Sequence, residues 1–254
     1  DIEFKEMFRF RKHEFRQLMV GFELVDVAGH PVDLRVGDVS RGNRRSWINA
    51  ESALLLTLRR MATPSRLRDL TDVTGCSRAL ASETFIFMTD YLNTNFVDPL
   101  NEIERWAQFF PLWASSFRRA GSPIDYIVTV IDGHFVGTCR PGGEGCVNGN
   151  YEDYQVFNGH DRLHGLKFLA MVCPNGKVIL LGPWTGNRHD SGALKNCKLM
   201  EIMKHIHRLT GIAYVIFGDS AFPLSPYMQR MLKGNLTHEG RCFNALMARH
   251  RICI

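Results

Sequence analysis

The sequence lacks any apolar stretch of the length needed to cross a membrane. A spanning helix requires ~18–20 consecutive apolar residues, whereas the longest apolar runs here are Ser52–Leu58 and Tyr126–Ile131. Both are short enough to be buried elements of a globular fold. The charged opening from Asp1 to Lys5 does not resemble a secretory signal peptide. These absences favour a globular protein over a membrane-spanning or secreted one.

Paired cysteine motifs are also lacking. The seven cysteines are an odd number and contain no Cys-x-x-Cys spacing, which excludes the usual zinc ribbon and thioredoxin-like patterns. They are Cys76, Cys139, Cys146, Cys173, Cys197, Cys242 and Cys253. We expect reduced thiols. A metal site formed by Cys139 and Cys146 with a distant histidine stays open as a weaker alternative.

Nucleotide-binding glycine motifs are missing as well. The segment Cys139–Asn150 is rich in glycine, but it contains neither Gly-x-Gly-x-x-Gly nor Gly-Lys followed by Ser or Thr. We therefore interpret it as an irregular connection, in which Arg140 is a candidate for contacting DNA.

What the chain does contain is the composition of a globular protein with a mildly basic balance. Of its 254 residues, 45% are hydrophobic and 22% charged, and the formal net charge is +5, so a polyanionic partner is permitted but not required. The first half is rich in basic residues, mostly arginine: Lys5, Arg9, Arg11, Lys12, Arg16, Arg41, Arg44, Arg45, Arg59, Arg60, Arg66, Arg68 and Arg78. A phosphate-contacting surface and an ordinary solvated helical surface both fit this distribution.

Residues 1–120 are predicted to be a mainly helical region. Apolar spacing predicts helices at Ala50–Met61 and Leu67–Val73, then a turn at Gly75, and a longer helix over Arg78–Asn93 with Ser77 as its N-cap. A short helix, a glycine turn and a longer helix form a helix-turn-helix outline, whose second helix can enter a DNA major groove. Many helical proteins share that outline. Its candidate DNA contacts are Arg66, Arg68, Ser77 and Arg78.

Residues 121–254 follow a change of composition at Arg118–Pro123 and have the rhythm of an α/β domain. Apolar segments predict four strands, at Tyr126–Ile131, His164–Cys173, Lys177–Gly182 and Tyr214–Phe217. The middle two are separated by Pro174-Asn175-Gly176 and should form a hairpin. Helices are predicted at Ser191–Leu209 and Phe243–His250. This order indicates a mixed sheet with flanking helices.

Two aspartates follow predicted strands and are candidate metal ligands. Asp132 comes after the first strand and Asp219 after the fourth. Hard divalent cations prefer oxygen ligands, and a pair of such ions can activate the attacking oxygen and stabilise the leaving one in phosphoryl transfer. Each aspartate alone is more typical of a turn or cap. Together, in this strand order, they favour a metal site.

Four motifs follow one another in the second half of the chain: Ile131–His134 (IDGH), Gly182–Ser191 (GPWTGNRHDS), Gly218–Leu224 (GDSAFPL) and Phe243–Ile254 (FNALMARHRICI). In this order they resemble the motifs of PIF/Harbinger-type transposases, which belong to the DDE endonucleases. The resemblance implies an RNase H-like fold, a DDE triad with Mg²⁺ (or Mn²⁺) as cofactor, and double-stranded transposon-end and target DNA as substrates. It also implies a nuclear location and a separate Myb-like DNA-binding partner.

Carried over by position, the resemblance makes Asp132 the first catalytic carboxylate and Asp219 the second. The family's glutamate is expected just past Ile254, so we expect the 254-residue chain to show weak catalysis or none. Asp190 is a candidate accessory metal ligand, with a helix cap as the plainer interpretation. Glu239 precedes the last motif and is a poor substitute for the glutamate.

Three functions remain in competition at this point. The first is a transposase or endonuclease core that cleaves DNA and transfers strands. The alternative is a domesticated, non-catalytic DNA-binding or adaptor protein, which would keep the helix-turn-helix outline and the arginines. The third is a metal-dependent hydrolase of small phosphoesters, which would need the two aspartates but no basic first half.

Overall fold

The computed structural model describes residues 1–37, 45–63, 66–140, 156–160 and 162–251. The chain forms two compact units, Asp1–Leu100 and Asn101–Ile254. The division therefore precedes the predicted boundary after residue 120. The physical reason is a helix at Phe110–Arg119, which buries Phe110, Trp113 and Phe117 in the core of the second unit. Among the described residues, no helix is both long and apolar enough to cross a membrane.

The first unit is helical, with one small hairpin. Its helices are α1 (Ile2–Phe8), α2 (Lys12–Gly21), α3 (Ala50–Ala62), α4 (Leu67–Thr74) and α5 (Arg78–Leu92), the last continuing into a π-helical turn at Asn93–Val97. The antiparallel strands β1 (Asp33–Val36) and β2 (Ser46–Asn49) were not predicted. Leu24, Val36, Leu54 and Met88 are buried in the core of this unit, so the hairpin is covered on one side by the helices.

The predicted helix-turn-helix outline is present in the first unit. Helix α4 ends at Gly75, whose φ of 70° is left-handed and therefore suits glycine. Ser77 caps α5 as predicted, because its side chain accepts a hydrogen bond of 3.2 Å from the Leu80 amide. Both helices contact α3, and α3 and α5 pack closely. The turn between α4 and α5 is thus stabilised by Gly75 and the Ser77 cap, and by the contacts of both helices with α3.

The second unit places helices around one sheet. The short helix α6 (Asp98–Asn101) spans the point in the sequence at which the chain is divided. Helix α7 (Ile103–Trp106) then continues through a 3₁₀ turn (Ala107–Phe109) into α8 (Phe110–Arg119). The later helices are α9 (Asp190–Asn196), α10 (Leu199–Thr210) and α11 (His238–Arg251). The helix predicted over Ser191–Leu209 is interrupted. Lys198 adopts a left-handed backbone with φ of 53°, which ends one helix and redirects the next.

The sheet has mixed direction, as the sequence predicted. Its strands are β3 (Ile127–Gly137), β4 (Phe157–Asn158), β5 (Leu163–Val172), β6 (Val178–Thr185), β7 (Val215–Gly218) and β8 (Met228–Arg230). The lateral order is β4-β5-β3-β7-β8, and β6 also pairs with β5. Strand β5 is antiparallel to both β3 and β6, which confirms the predicted hairpin, whereas β3, β7 and β8 run parallel. The α/β class with flanking helices is thereby confirmed.

Opposite faces of this sheet pack against different helices. Val130, Val215 and Phe217 share one buried cluster with Met247 of α11. Ile131 and Ile216, their neighbours along the strands, belong to another cluster with Leu194 of α9. Successive side chains of a strand point to opposite faces. The residue alternation therefore assigns each later position of β3 and β7 to the α11 face or to the α9 face.

Candidate metal centre

Asp132 lies where β3 leaves the hydrophobic core. The first five residues of the strand, Ile127–Ile131, are buried, and the strand becomes partly exposed from Asp132 onward. The sequence predicted that the strand ends before Asp132, and this is wrong. Strand β3 continues to Gly137 because β5 supplies a partner from Val130 up to the Gly137–Gly165 pair. The backbone of Asp132 is consequently held by strand pairing with Ala170 of β5.

Asp219 follows directly after β7, the parallel neighbour of β3. Val130 is paired with Phe217, the last pair between the two strands, and Asp132 and Asp219 each follow two residues later. Adjacent strands are about 4.8 Å apart, so the backbones of β3 and β7 are close neighbours just before the two aspartates. Continuation of the strand alternation beyond Gly218 would put the Asp219 carboxylate on the α11 face, the face assigned to Asp132. That the two carboxylates share one metal stays a prediction.

Backbone amides orient one oxygen of each carboxylate. The Gly133 amide donates a hydrogen bond of 2.9 Å to Asp132 Oδ1. The Ala221 amide likewise donates to Asp219 Oδ1 at 2.8 Å. Both aspartates are half-buried. Such bonds restrict the side-chain rotamers, so the pair is oriented before any ligand arrives.

The turn after Asp219 is held by residues that sequence reasoning missed. Arg230 of β8 donates to the carbonyl oxygens of Phe222, at 2.9 Å, and Ser220, at 3.3 Å. Phe222 is fully buried and packs against Gly218, where an added Cβ would also lie 3.1 Å from Ile131. The Gly-Asp-x-x-Phe spacing was a sequence signal for this turn. Nothing in the sequence marked Arg230, because its role depends on strand pairing.

Asp190 lies near the pair but on the other side of β3. It is the first residue of α9, with His189 at the N-cap position and no side-chain capping bond. Its carboxylate occupies the space that a Cβ on Gly133 would fill, with Asp190 Cγ 2.8 Å from that position. Lys167 Nζ of β5 lies 2.7 Å from Asp190 Oδ1. The accessory-ligand role of Asp190 therefore stays a prediction, and its partner in the structure is a lysine.

The donor set at Asp132 and Asp219 suits a hard divalent cation. Carboxylate oxygens are the ligands that Mg²⁺ and Mn²⁺ favour, and neither aspartate lies deep in the core. Within the described part of the chain, no group of three or more His, Cys, Asp or Glu side chains gathers as a complete metal site. The pair is thus a candidate for part of a cation site.

The candidate DNA contacts of the first unit lie partly together. Arg68, Ser77 and Arg78 line one surface depression around the α4–α5 turn, together with Asp72. Arg66 is exposed and precedes α4, where its amide donates to Asp69 at 3.0 Å. These side chains are exposed, and their contact with DNA stays a prediction.

Two further sequence candidates, Cys139 and Arg140, follow shortly after β3. Arg140 is exposed after β3. Cys139, the proposed metal ligand, is also exposed. Cys146 and nearly all of the glycine-rich segment, as well as Arg41 and Arg44, lie outside the described residues.

Comparison with known families identifies the segment that contains the two aspartates. Residues 131–254 match the family described as DDE superfamily endonuclease. This segment is similar to the DDE superfamily endonucleases. The match starts one residue before Asp132 and includes Asp190 and Asp219, so it covers the sheet edge described above. Comparisons with curated proteins and with solved structures found no match. The family match supports a transposase or nuclease type of function and the use of divalent metal.

Proposed function

We propose that the chain is the core of a PIF/Harbinger-type transposase, which cleaves DNA and transfers strands with Mg²⁺ or Mn²⁺ held by Asp132 and Asp219. The observation that carries the proposal is the parallel register of β3 and β7, in which Val130 pairs with Phe217 two residues before Asp132 and Asp219. Continued past the strand, this register would set the two aspartates side by side. The similarity of residues 131–254 to DDE superfamily endonucleases supports the same chemistry.

The chain's own contribution to such a reaction is orientation. The Gly133 and Ala221 amides each fix one carboxylate oxygen, so that the two side chains meet an incoming cation in a set geometry. Bound divalent cations supply the charge that activates the attacking oxygen and stabilises the leaving oxygen. No covalent intermediate with the protein is required, because positioning and charge are sufficient to lower the barrier.

Double-stranded DNA is the proposed substrate, with the arginine-bearing surface of the first unit as one site of contact. Arg68 and Arg78 are exposed next to the N-terminus of α5, which is the end that reaches base edges in helix-turn-helix proteins. Arg66 and Arg140 are further candidates for phosphate contacts. From the subtype we also propose a nuclear location and a Myb-like partner protein.

Duplex affinity in the presence and absence of a metal tests this function. We expect Ca²⁺, which occupies carboxylate sites, to tighten the binding of a labelled duplex relative to EDTA. In Asp132→Asn and Asp219→Asn the metal effect should disappear. Asp125→Asn is the matched control, since Asp125 belongs to the same unit but forms an exposed ion pair with Arg118 at 3.1 Å.

Two other outcomes select the competing functions. Duplex binding that is equal in Ca²⁺ and EDTA, and unchanged in Asp132→Asn, favours a non-catalytic DNA-binding or adaptor protein. The exposed surface around Arg68, Ser77 and Arg78 is the observation behind this second candidate, because it needs no metal. Hydrolysis of p-nitrophenyl phosphate without duplex affinity would instead select a hydrolase of small phosphoesters.

A further inference from the structure

Behind the candidate metal centre lies an ion pair that the proposed chemistry does not use. Lys167 of β5 and Asp190 of α9 approach to 2.7 Å, and each side chain is only 17% exposed. Asp190 Oδ1 is wholly buried, and among the described residues no donor other than the Lys167 ammonium is recorded for it. The negative charge of Asp190 is therefore compensated by the ammonium group of Lys167. An uncompensated carboxylate in such a position would be costly.

This ion pair is pressed against the backbone of β3. At Gly133, the three atoms nearest to an added Cβ all belong to the Asp190 carboxyl group. Gly133 is therefore required for the close approach of Asp190 and not for an unusual turn. By contrast, an added Cβ at Gly137, four residues further along β3, would meet nothing within 4 Å.

Gly133 connects the ion pair to the first candidate ligand. Its amide donates to Asp132 Oδ1 at 2.9 Å, so the residue that supports Asp190 also orients Asp132. Asp190 occupies the side to which a Cβ of residue 133 would point, and neighbouring side chains of a strand point to opposite faces. Asp190 and Asp132 therefore lie on opposite faces of β3.

We propose that Lys167 and Asp190 are positioning residues, which fix the backbone at Gly133 and thereby the orientation of Asp132 toward its metal. This inference rests on the proposed function. It assigns Asp190 a role behind the metal centre, as part of a neutral pair, in place of the accessory-ligand role. Partners that orient a metal ligand typically change metal affinity by about 10–100-fold when they are removed.

The test is a charge-removal cycle measured by calorimetric titration of Mn²⁺. Asp190→Asn and Lys167→Met each leave one buried charge without its partner, and we expect each to weaken Mn²⁺ binding by about 10–100-fold. The double variant Lys167→Met/Asp190→Asn removes both charges and should recover most of that loss. If Asp190 were a metal ligand, the double variant would bind no better than Asp190→Asn. Equal Mn²⁺ affinity in wild type and Asp190→Asn would overturn the proposal.

A second cycle tests the contact with the backbone. Gly133→Ala should weaken Mn²⁺ binding because its methyl group displaces Asp190, whereas Gly137→Ala should bind like wild type. Thermal unfolding of the same proteins provides the control. A lower melting temperature in Gly133→Ala with unchanged Mn²⁺ affinity would show a purely structural contact and contradict the positioning role.

Amide hydrogen exchange gives a readout that does not depend on metal. We expect Asp190→Asn to increase exchange at Gly133 while leaving Gly137 unchanged, and unaltered exchange at Gly133 would count against the proposal. The two ideas fail separately. Undiminished Mn²⁺ binding in Asp132→Asn overturns the proposed function, whereas undiminished binding in Asp190→Asn, with Asp132→Asn impaired, overturns only this inference.

Discussion

Val130 of β3 and Phe217 of β7 are paired in parallel register, and Asp132 and Asp219 each follow two residues later. A long stretch of sequence separates the two aspartates, but the pairing of β3 with β7 brings their backbones near one another. This relationship makes the two aspartates a candidate ligand pair. The predictions below test the supports of that pair and the DNA-contacting surface of the first unit.

Gly218→Ala should damage the site through the Asp219 turn. The new methyl group would meet the buried Phe222 ring and Ile131, and overpacking of this kind costs about 1–3 kcal/mol. We expect chemical denaturation to show that loss and Mn²⁺ titration to show weaker binding. Gly137→Ala, where the added Cβ has open space, is the control and should change neither. Stability and binding like those of wild type in Gly218→Ala would contradict the described packing.

Neutralising the arginines around the α4–α5 turn should reduce the salt dependence of duplex binding. Each phosphate contact that is lost lowers the slope of log affinity against log salt concentration by about 1. We expect this for Arg68→Gln and for Arg78→Gln in fluorescence anisotropy titrations. Arg16→Gln, an exposed substitution on α2, should leave the slope unchanged. Identical slopes in all three variants and wild type would exclude this surface from DNA contact.

Ser77 should show separable roles as a helix cap and as a DNA neighbour. Ser77→Ala removes the bond to the Leu80 amide and should lower the free energy of unfolding by about 1 kcal/mol. Ser77→Asp keeps a capping oxygen, so stability should be retained, but its negative charge should repel phosphate and weaken duplex binding. Unfolding curves and anisotropy titrations distinguish these effects. Full duplex affinity in Ser77→Asp would place the DNA elsewhere.

Cys173 should be inert in the folded protein. It is buried, and burial raises the pKa of its thiol to about 11. Because the thiolate is the reactive form, Cys173 should stay protonated and unreactive at pH 8, whereas the exposed Cys139 and Cys242 should react with Ellman's reagent. Cys173→Ala should release the same amount of thionitrobenzoate as wild type when folded, and one equivalent less when denatured. One equivalent less in the folded state would contradict the burial.

The strands that form the sheet centre could be predicted from sequence because they are apolar runs between turn residues. The hairpin of β5 and β6 is an example, since Pro174, Asn175 and Gly176 separate its strands. Strands β1 and β2 were missed because polar and charged residues alternate with their few buried positions. The break at Lys198 was also missed, because a lysine carries no local signal for a left-handed backbone.

The candidate site was predictable only in part, for a similar reason. Asp132 and Asp219 stand beside glycines after apolar runs, which is a local pattern. Other contacts depend on strand order and register. They are the ion pair of Lys167 with Asp190 and the hydrogen bond from Arg230 to the turn after Asp219. Such partners are set by tertiary structure, so sequence spacing alone does not reveal them.

The central claim is that Asp132 and Asp219 bind the same metal, and calorimetric titration of Mn²⁺ tests it most directly. We predict saturable binding to the wild-type protein and to the Asp125→Asn control. Binding should be lost in Asp132→Asn, in Asp219→Asn and in the double variant alike, because both carboxylates serve one site. Mn²⁺ binding that persists undiminished in the double variant would contradict the account.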